Sequence, residues 1–203
     1  EIPSNKEYVE KIISILPEWF SFSGDVLQNK MPSFDHDGGQ YESVNYANFA
    51  IQEAALFLLA CKNSSPEIKL PNIPQLHETL NYFVHVSYPR NGELWSINFG
   101  DSHKTITAES SLEILYALGY CHDKNALWYF SQVKDEQTRD GFFRSRPMGY
   151  TFMPSTKGAP QTPDMAKCQL FRDFGVATLR DSWEKDATLL AVKSGHTWNH
   201  CHA

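Results

Sequence analysis

Apolar residues recur at every third or fourth position through most of the chain, which is the spacing of a helix with one buried face. The first such helix follows Ser4, a predicted N-cap with Glu7 three residues later, and is expected to end at Pro17. Between residues 87 and 104 the repeat is lost, and we expect a long irregular loop there. Four further helices are predicted, at residues 42–62, 75–86, 107–121 and 125–132.

The helix predicted at residues 42–62 is apolar on two faces. One stripe consists of Val44, Ala47, Ile51, Ala54, Ala55, Leu58 and Leu59, and the second consists of Tyr46, Phe49, Ala50, Phe57 and Ala60. A helix with two apolar faces is expected to be packed on two sides. Because the helices are separated by short breaks and polar loops, they are expected to form antiparallel pairs. The pattern therefore predicts a solenoid or an incomplete (α/α) toroid.

The periodicity changes to two beyond residue 157. Residues 176–180 and 188–193 alternate as strands do, and the polar segment between them predicts a β-hairpin. We therefore place a domain boundary at the linker, with a toroid segment at residues 1–157 and the start of a truncated antiparallel β-sandwich at residues 158–203. The predicted fold class is α+β and multidomain.

The composition is that of a globular protein with a modest acidic charge. The chain has 203 residues, 41% of them hydrophobic, and a formal net charge of -6. This charge argues against nucleic acid as a partner, because a phosphate backbone requires a basic surface. No uninterrupted apolar run reaches the roughly 20 residues that span a bilayer, so we expect no membrane insertion. The four cysteines are scattered and predict no disulfide framework.

The C-terminal stretch, residues 194–203, has the highest density of side chains that can transfer protons or bind a metal ion. If it is extended, His196, His200 and His202 lie on one face together with Trp198. Such imidazoles can bind one metal ion or one substrate, and they can equally be solvated histidines at a strand end. A metal requires three or four ligands, yet the chain stops one residue after His202. Either the remaining ligands lie beyond residue 203, as expected for a fragment of a longer protein, or no metal is bound.

Several segments of the chain together resemble one enzyme family. Residues 174–183 combine a phenylalanine-glycine strand start with an Arg-x-x-Trp turn, and residues 199–203 read Asn-His-Cys-His-Ala. Upstream, residues 37–46 join an acidic-Gly turn to a glutamate and a tyrosine, and residues 98–101 read Asn-Phe-Gly-Asp. Taken in the order in which they occur along the chain, these four segments resemble the heparinase II/III-like polysaccharide lyases. The likeness covers most of the chain and matches the predicted change from helices to strands.

The resemblance implies β-elimination from an acidic, uronate-containing polysaccharide. Heparin or heparan sulfate is the first expectation, and alginate or another uronan is the second. Such an enzyme must stabilise the C5 carboxylate, remove the C5 proton and protonate the departing glycosidic oxygen. By resemblance Tyr46 transfers protons and His200 is the catalytic histidine, with Tyr41 as the rival of Tyr46. From the sequence alone, Tyr46 can equally be a packing aromatic of its helix.

The resemblance also implies which residues bind the substrate. They are Glu42, Asn98, Asp101, Trp198 and Asn199, and Trp95 is a further candidate for the sugar groove. A carboxylate in a first helical turn, as at Glu42, is also favourable simply through the helix dipole. For the loop residues and the tryptophans, loop structure or core packing is the alternative explanation.

His202 resembles a ligand of a structural zinc ion, whose remaining ligands are expected beyond residue 203. A buried, hydrogen-bonded histidine is the alternative. No counterpart of the family's carboxylate-neutralising residue precedes Asp35, so the fragment alone is expected to be inactive. The family implies a periplasmic or secreted protein. A non-catalytic glycan-binding relative, a zinc-dependent hydrolase and a structural helical-repeat protein are the alternative functions.

Overall fold

The structure of the chain is a computed structural model that describes residues 5–21, 34–40, 42–100, 102–103, 107–121, 123–133 and 161–194. Its elements, in chain order, are α1 (Asn5–Ser21), α2 (Val44–Ser64), α3 (Pro74–Val86), β1 (Ser87–Arg90), β2 (Glu93–Ser96), α4 (Glu109–Leu118), α5 (Lys124–Gln132), β3 (Cys168–Phe171), β4 (Val176–Arg180) and β5 (Leu189–Lys193). The strands form a two-stranded sheet, β1-β2, and a three-stranded sheet, β3-β4-β5, both antiparallel. The predicted α+β class is confirmed.

Helix α1 continues past the position at which the sequence predicted its end. Pro17 lies inside the helix, which ends at Ser21, so the predicted end was wrong. The last turn places Phe20 against Phe34, with ring centroids 4.8 Å apart, and both side chains are almost fully buried. Burial of the Phe20 side chain offsets part of the cost of a proline inside the helix.

Helix α2 buries one of its two apolar faces. The first predicted stripe is buried, whereas in the second stripe Phe49 and Ala60 are exposed and the other members are half-buried. The partial burial of the second stripe neither confirms nor contradicts packing on that side, so packing on two sides stays a prediction. Buried polar residues, namely Asn45, Asn48 and Gln52, lie among the apolar ones, so the packed face is wider than hydrophobicity alone indicates.

Length and composition would allow α2 to cross a membrane. Its 21 residues reach a mean hydropathy of 1.2 in the most apolar window, of which 61% is buried inside the fold. A core helix of a globular protein meets the same criteria, because it too is apolar on most sides. The apolar character of α2 is accounted for by its place in the core.

The segment predicted as an irregular loop contains the β1-β2 hairpin. Asn91 and Gly92 connect its strands with φ values of 53° and 73°. Positive φ at both central residues is the geometry of a type I′ turn, which matches the twist of the two strands. The strands pair from Ser87 with Ser96 to Arg90 with Glu93. The sequence prediction missed this hairpin, although Asn-Gly is its strongest local signal.

The second sheet has one strand more than the predicted hairpin. Strands β4 and β5 match the predicted pair, and β3 joins them with Phe171 opposite Val176. On β4 the buried residues alternate with more exposed ones, and its buried side chains face the helices. The opposite face carries exposed apolar side chains, namely Leu170, Leu179, Leu190 and Val192.

Helix α3 packs against the second sheet. The buried ring of Tyr82 makes edge contacts with Phe171 and Phe174, with centroids 5.1 Å and 6.2 Å apart. The sheet and the helices therefore contribute to one hydrophobic core. The toroid, the sandwich and the domain division at residues 157 and 158 stay predictions, and residues 134–160 lie outside the described part of the chain.

Candidate functional site

A buried carboxylate organises the acidic-Gly turn. Asp35 is 2% exposed, and its Oδ1 accepts a hydrogen bond of 2.8 Å from the backbone N–H of Asp37. Its Oδ2 accepts bonds of 2.7 Å and 3.1 Å from the N–H groups of Asp173 and Phe174 in the turn between β3 and β4. These bonds to an ionised acceptor are stronger than neutral ones. Asp35 therefore bridges two segments of the resemblance, residues 37–46 and 174–183.

The glycines of this turn allow close packing against α3 and the sheet. Gly38 has a φ of +88°, and a Cβ atom there would overlap the carbonyl group of Glu78 and lie 2.8 Å from the backbone nitrogen of Thr79. At Gly39 a Cβ atom would lie 3.4 Å from the side chain of Phe171. Only glycine fits the conformation and the space at position 38.

The turn leads directly into the first turn of α2. The Gln40 side-chain oxygen accepts bonds of 2.9 Å and 3.0 Å from the N–H groups of Glu42 and Ser43. Ser43 then caps the helix, because its hydroxyl accepts a 3.1 Å bond from the N–H of Tyr46. These bonds fix Glu42 and Tyr46 at the start of α2, where both are half-buried.

The loop that follows β2 lies against the same helix start. Gly100 has a φ of +70°, and a Cβ atom there would overlap the Glu42 carbonyl oxygen and lie 3.7 Å from Cβ of Ser43. This approach brings the segment that carries Asn98 beside the one that carries Glu42 and Tyr46, and Asn98 is exposed. We call residues 42–46 and 98–100 the α2-entry site.

Several predicted site residues lie outside the described residues. These are Asp101, Trp198, Asn199, His200 and His202, together with the rival Tyr41. Their roles in catalysis, substrate binding and zinc binding stay predictions. The α2-entry site thus contains three of the predicted residues, Glu42, Tyr46 and Asn98.

His36, for which no role was predicted, lies beside the acidic turn. His36 Nδ1 is 3.0 Å from Asp173 Oδ2 and 3.1 Å from Asp35 Oδ1, and Nε2 is 3.4 Å from Asp37 Oδ1. The hydrogen bond to Asp173 is the main cause of a raised pKa for His36, with the three carboxylates adding to it and burial opposing it. Such exposed ion pairs contribute little to stability.

Asp35, His36 and Asp37 also offer ligand atoms within 4.8 Å of one another. Carboxylate oxygen and imidazole nitrogen are ligands that a divalent cation accepts. However, the Asp35 carboxylate already accepts hydrogen bonds from backbone N–H groups, and His36 and Asp37 are open to solvent. The cluster alone does not define a metal site.

The Arg-x-x-Trp turn joins the second sheet to the end of α3. Arg180 is 6% exposed, and its Nη2 donates to the carbonyl oxygens of His85 and Ser87, at 2.9 Å each, and of Val84 at 3.4 Å. The guanidinium also stacks on Trp183, 3.8 Å from the ring centroid. Carbonyl groups at a helix C-terminus attract cations. Burial lowers the pKa of Arg180 to about 10, opposed by nearby Asp181.

Replacing Arg180 with methionine is expected to lower the free energy of unfolding by about 2–3 kcal/mol, because it removes buried, charge-assisted hydrogen bonds while keeping most of the side-chain volume. Chemical denaturation measures the change. Arg172→Met removes an exposed arginine from the turn between β3 and β4 and serves as the control. Equal stability of the two variants would show that Arg180 does not hold α3 to the sheet.

His85 is buried beside this arginine. It is 1% exposed, its ring lies 5.4 Å from Trp183, and its Nδ1 has no hydrogen-bond partner among the described residues. Burial, and then the charge of Arg180, lower the pKa of His85 to about 4. The imidazole is therefore neutral in the folded protein at neutral pH.

The depressed pKa predicts acid sensitivity. Between the ordinary pKa of about 6.5 and the folded value, the unfolded chain binds a proton that the folded chain does not, so stability falls as pH falls. We expect His85 to account for a loss of about 2 kcal/mol from pH 7 to about pH 4.5. Denaturant unfolding across this range should show a smaller slope for His85→Leu than for the wild type. A wild-type slope in His85→Leu would contradict the prediction.

Comparison of the chain with protein-family models, with curated proteins and with solved structures gives no match. The interpretation of the α2-entry site therefore depends on its geometry and on the motifs of the sequence.

Proposed function

We propose that the protein is a polysaccharide lyase that cleaves an acidic, uronate-containing polysaccharide by β-elimination. Heparin or heparan sulfate is the first candidate substrate, and alginate or another uronan is the second. The observation that carries the proposal is the contact of Gly100 with the backbone of Glu42. Through this contact two separate motifs of the resemblance, residues 37–46 and 98–101, meet at one place.

The two proton transfers of the elimination have candidate residues. The half-buried Tyr46 supplies a phenolic group that can remove the C5 proton and return a proton to the leaving oxygen. His200 is proposed as the second proton-transferring group. Glu42 and Asn98 are proposed to orient the sugar, with Asp101, Trp198 and Asn199 completing the groove. His202 is proposed to bind a structural zinc ion, and a periplasmic or secreted location belongs to the same proposal.

Two exposed apolar surfaces support the larger architecture of this proposal. The outer face of the second sheet is apolar, as expected for the first sheet of a sandwich that a further sheet covers. Helix α1 presents a stripe at helical spacing, and each of its members is more than 40% exposed: Tyr8, Ile12, Ile15 and Trp19. A helix of an (α/α) toroid would bury such a stripe against a neighbour.

The proposal is tested by incubating the protein with heparan sulfate, chondroitin, hyaluronan and alginate oligomers. Both the 203-residue chain and the longest natural chain that contains it are used. Ultraviolet absorbance detects the conjugated double bond that β-elimination must create. A rise in absorbance on one class of oligomer is expected and would identify the substrate class.

Two other outcomes would replace the proposal. New reducing ends without a double bond, together with sensitivity to a chelator, would indicate a zinc-dependent hydrolase. Binding without any cleavage by the longest chain would indicate a non-catalytic glycan-binding protein. Neither outcome is compatible with β-elimination.

A further inference from the structure

The outer face of the β1-β2 hairpin combines aromatic rings with an arginine. Tyr88 and Trp95 are opposite each other in the register, and so are Arg90 and Glu93. The aromatic rings make an edge contact with centroids 6.4 Å apart, and the Arg90 guanidinium carbon lies 4.7 Å from the Trp95 ring centroid. The indole N–H donates a 3.2 Å bond to Glu93 Oε2. The four side chains therefore form one connected surface, which we call the hairpin platform.

The hairpin platform faces solvent. Leu94 and Ser96 point to the other side of β2 and are fully buried, whereas Arg90 is exposed and Tyr88 and Trp95 are half-buried. The outer face of a two-layer arrangement normally carries polar residues. Cross-strand aromatic pairs stabilise a hairpin. This stabilising role does not require the guanidinium of Arg90 to lie over the Trp95 ring. Arginine and aromatic residues are also the side chains enriched where proteins bind partners.

The platform is connected to the α2-entry site by a short piece of chain. Strand β2 leads from Trp95 into the loop that ends at Gly100, which contacts the start of α2. Five residues extend at most about 17 Å, so the platform lies within that distance of Gly100. An oligosaccharide is long enough to contact the hairpin platform and the α2-entry site at the same time.

We propose that the hairpin platform is a binding subsite for an acidic saccharide, in which the aromatic rings contact the sugar and Arg90 binds its carboxylate or sulfate. The C–H groups of a pyranose face are attracted to the negative face of an aromatic ring. A guanidinium matches the geometry of a carboxylate or sulfate with two parallel hydrogen bonds. That the ligand is acidic rests on the proposed function.

The hairpin platform has one cation, Arg90, which lies opposite one carboxylate, Glu93. A chain with a net charge of -6 repels an acidic polymer on average, so binding requires a local cation. Arg90 is the first arginine of the sequence, and it is exposed on the platform. Glu93, its cross-strand neighbour, accepts a bond from the indole and so fixes the ring against which Arg90 packs.

The experiment measures binding by calorimetry, with heparan sulfate and alginate hexasaccharides as acidic probes and cellohexaose as a neutral probe. Arg90→Gln is expected to weaken binding of the preferred acidic probe about tenfold, since it removes a charge-assisted contact. Trp95→Leu is expected to weaken it at least as much. Arg172→Gln, which removes an exposed arginine from the β3-β4 turn, should bind like the wild type. Thermal unfolding verifies that Arg90→Gln is folded.

The binding assay tests the hairpin platform and the absorbance assay tests the lyase reaction. Either proposal can therefore be overturned without the other. Weaker binding by Arg90→Gln without double-bond formation by the wild type would support the platform and overturn the lyase proposal. Double-bond formation with unchanged binding and unchanged KM in Arg90→Gln would overturn the platform alone. Equal affinity of the wild type for cellohexaose and the acidic probes, or no binding of any probe, would also overturn it.

Discussion

Replacing Tyr46 with phenylalanine is expected to lower kcat of the proposed lyase reaction about 10³-fold, with KM little changed. General acid and base catalysis by one positioned group contributes about 10²–10⁴-fold, and the substitution removes only the phenolic O–H. The backbone N–H of Tyr46 bonds to Ser43, so the cap of α2 is retained in the variant. The measurement is the initial rate of ultraviolet absorbance increase on the preferred oligomer.

The matched control is Tyr8→Phe, which removes a phenolic O–H from the exposed stripe of α1. It should retain the wild-type rate, and both variants should unfold at the wild-type denaturant concentration. If Tyr46→Phe kept full activity, the proton transfer would belong to another residue, and Tyr41→Phe would be the next variant to assay. Loss of activity in both variants would mean that the assay does not report on the α2-entry site.

Local signals in the sequence were sufficient for most of the helices. Periodicity located α2 and α5 to within two residues at each end, because their buried faces repeat at the helical period. Pro17 misled the prediction of α1, because the burial of Phe20 is a tertiary contact that no local rule contains. The β1-β2 hairpin had a local signal in Asn91-Gly92, and it was missed because the surrounding residues lack a clear alternation.

The candidate site depends on contacts between distant parts of the chain. Glycine at position 100 was visible in the sequence, but the carbonyl group of Glu42 that it approaches was not. Likewise the Arg-x-x-Trp pattern was recognised, whereas its structural role, a bond from Arg180 to the end of α3, required the packing of the sheet. Composition and spacing identify which residues are unusual. They do not identify the distant backbone groups that those residues approach or to which they form hydrogen bonds.

Replacing Gly38 with alanine is expected to lower the free energy of unfolding by about 4 kcal/mol. An alanine at a left-handed φ of +88° costs about 1–2 kcal/mol by itself. Its Cβ atom would also overlap the carbonyl group of Glu78, and a backbone group inside a packed helix cannot move aside as a flexible side chain can. Chemical denaturation of the purified variant measures the loss.

Gly119→Ala separates these two contributions. Gly119 ends α4 with a φ of +92°, and a Cβ atom there would meet nothing within 4 Å, so only the conformational cost of about 1–2 kcal/mol applies. The difference in unfolding free energy between the two variants measures the cost of the overlap between the Cβ atom at position 38 and the Glu78 carbonyl group of α3. A small and equal loss in both would mean that the turn can move away from α3. The α2-entry site would then be positioned by the Ser43 cap and the approach of Gly100 to Glu42, without support from the contact of Gly38 with α3.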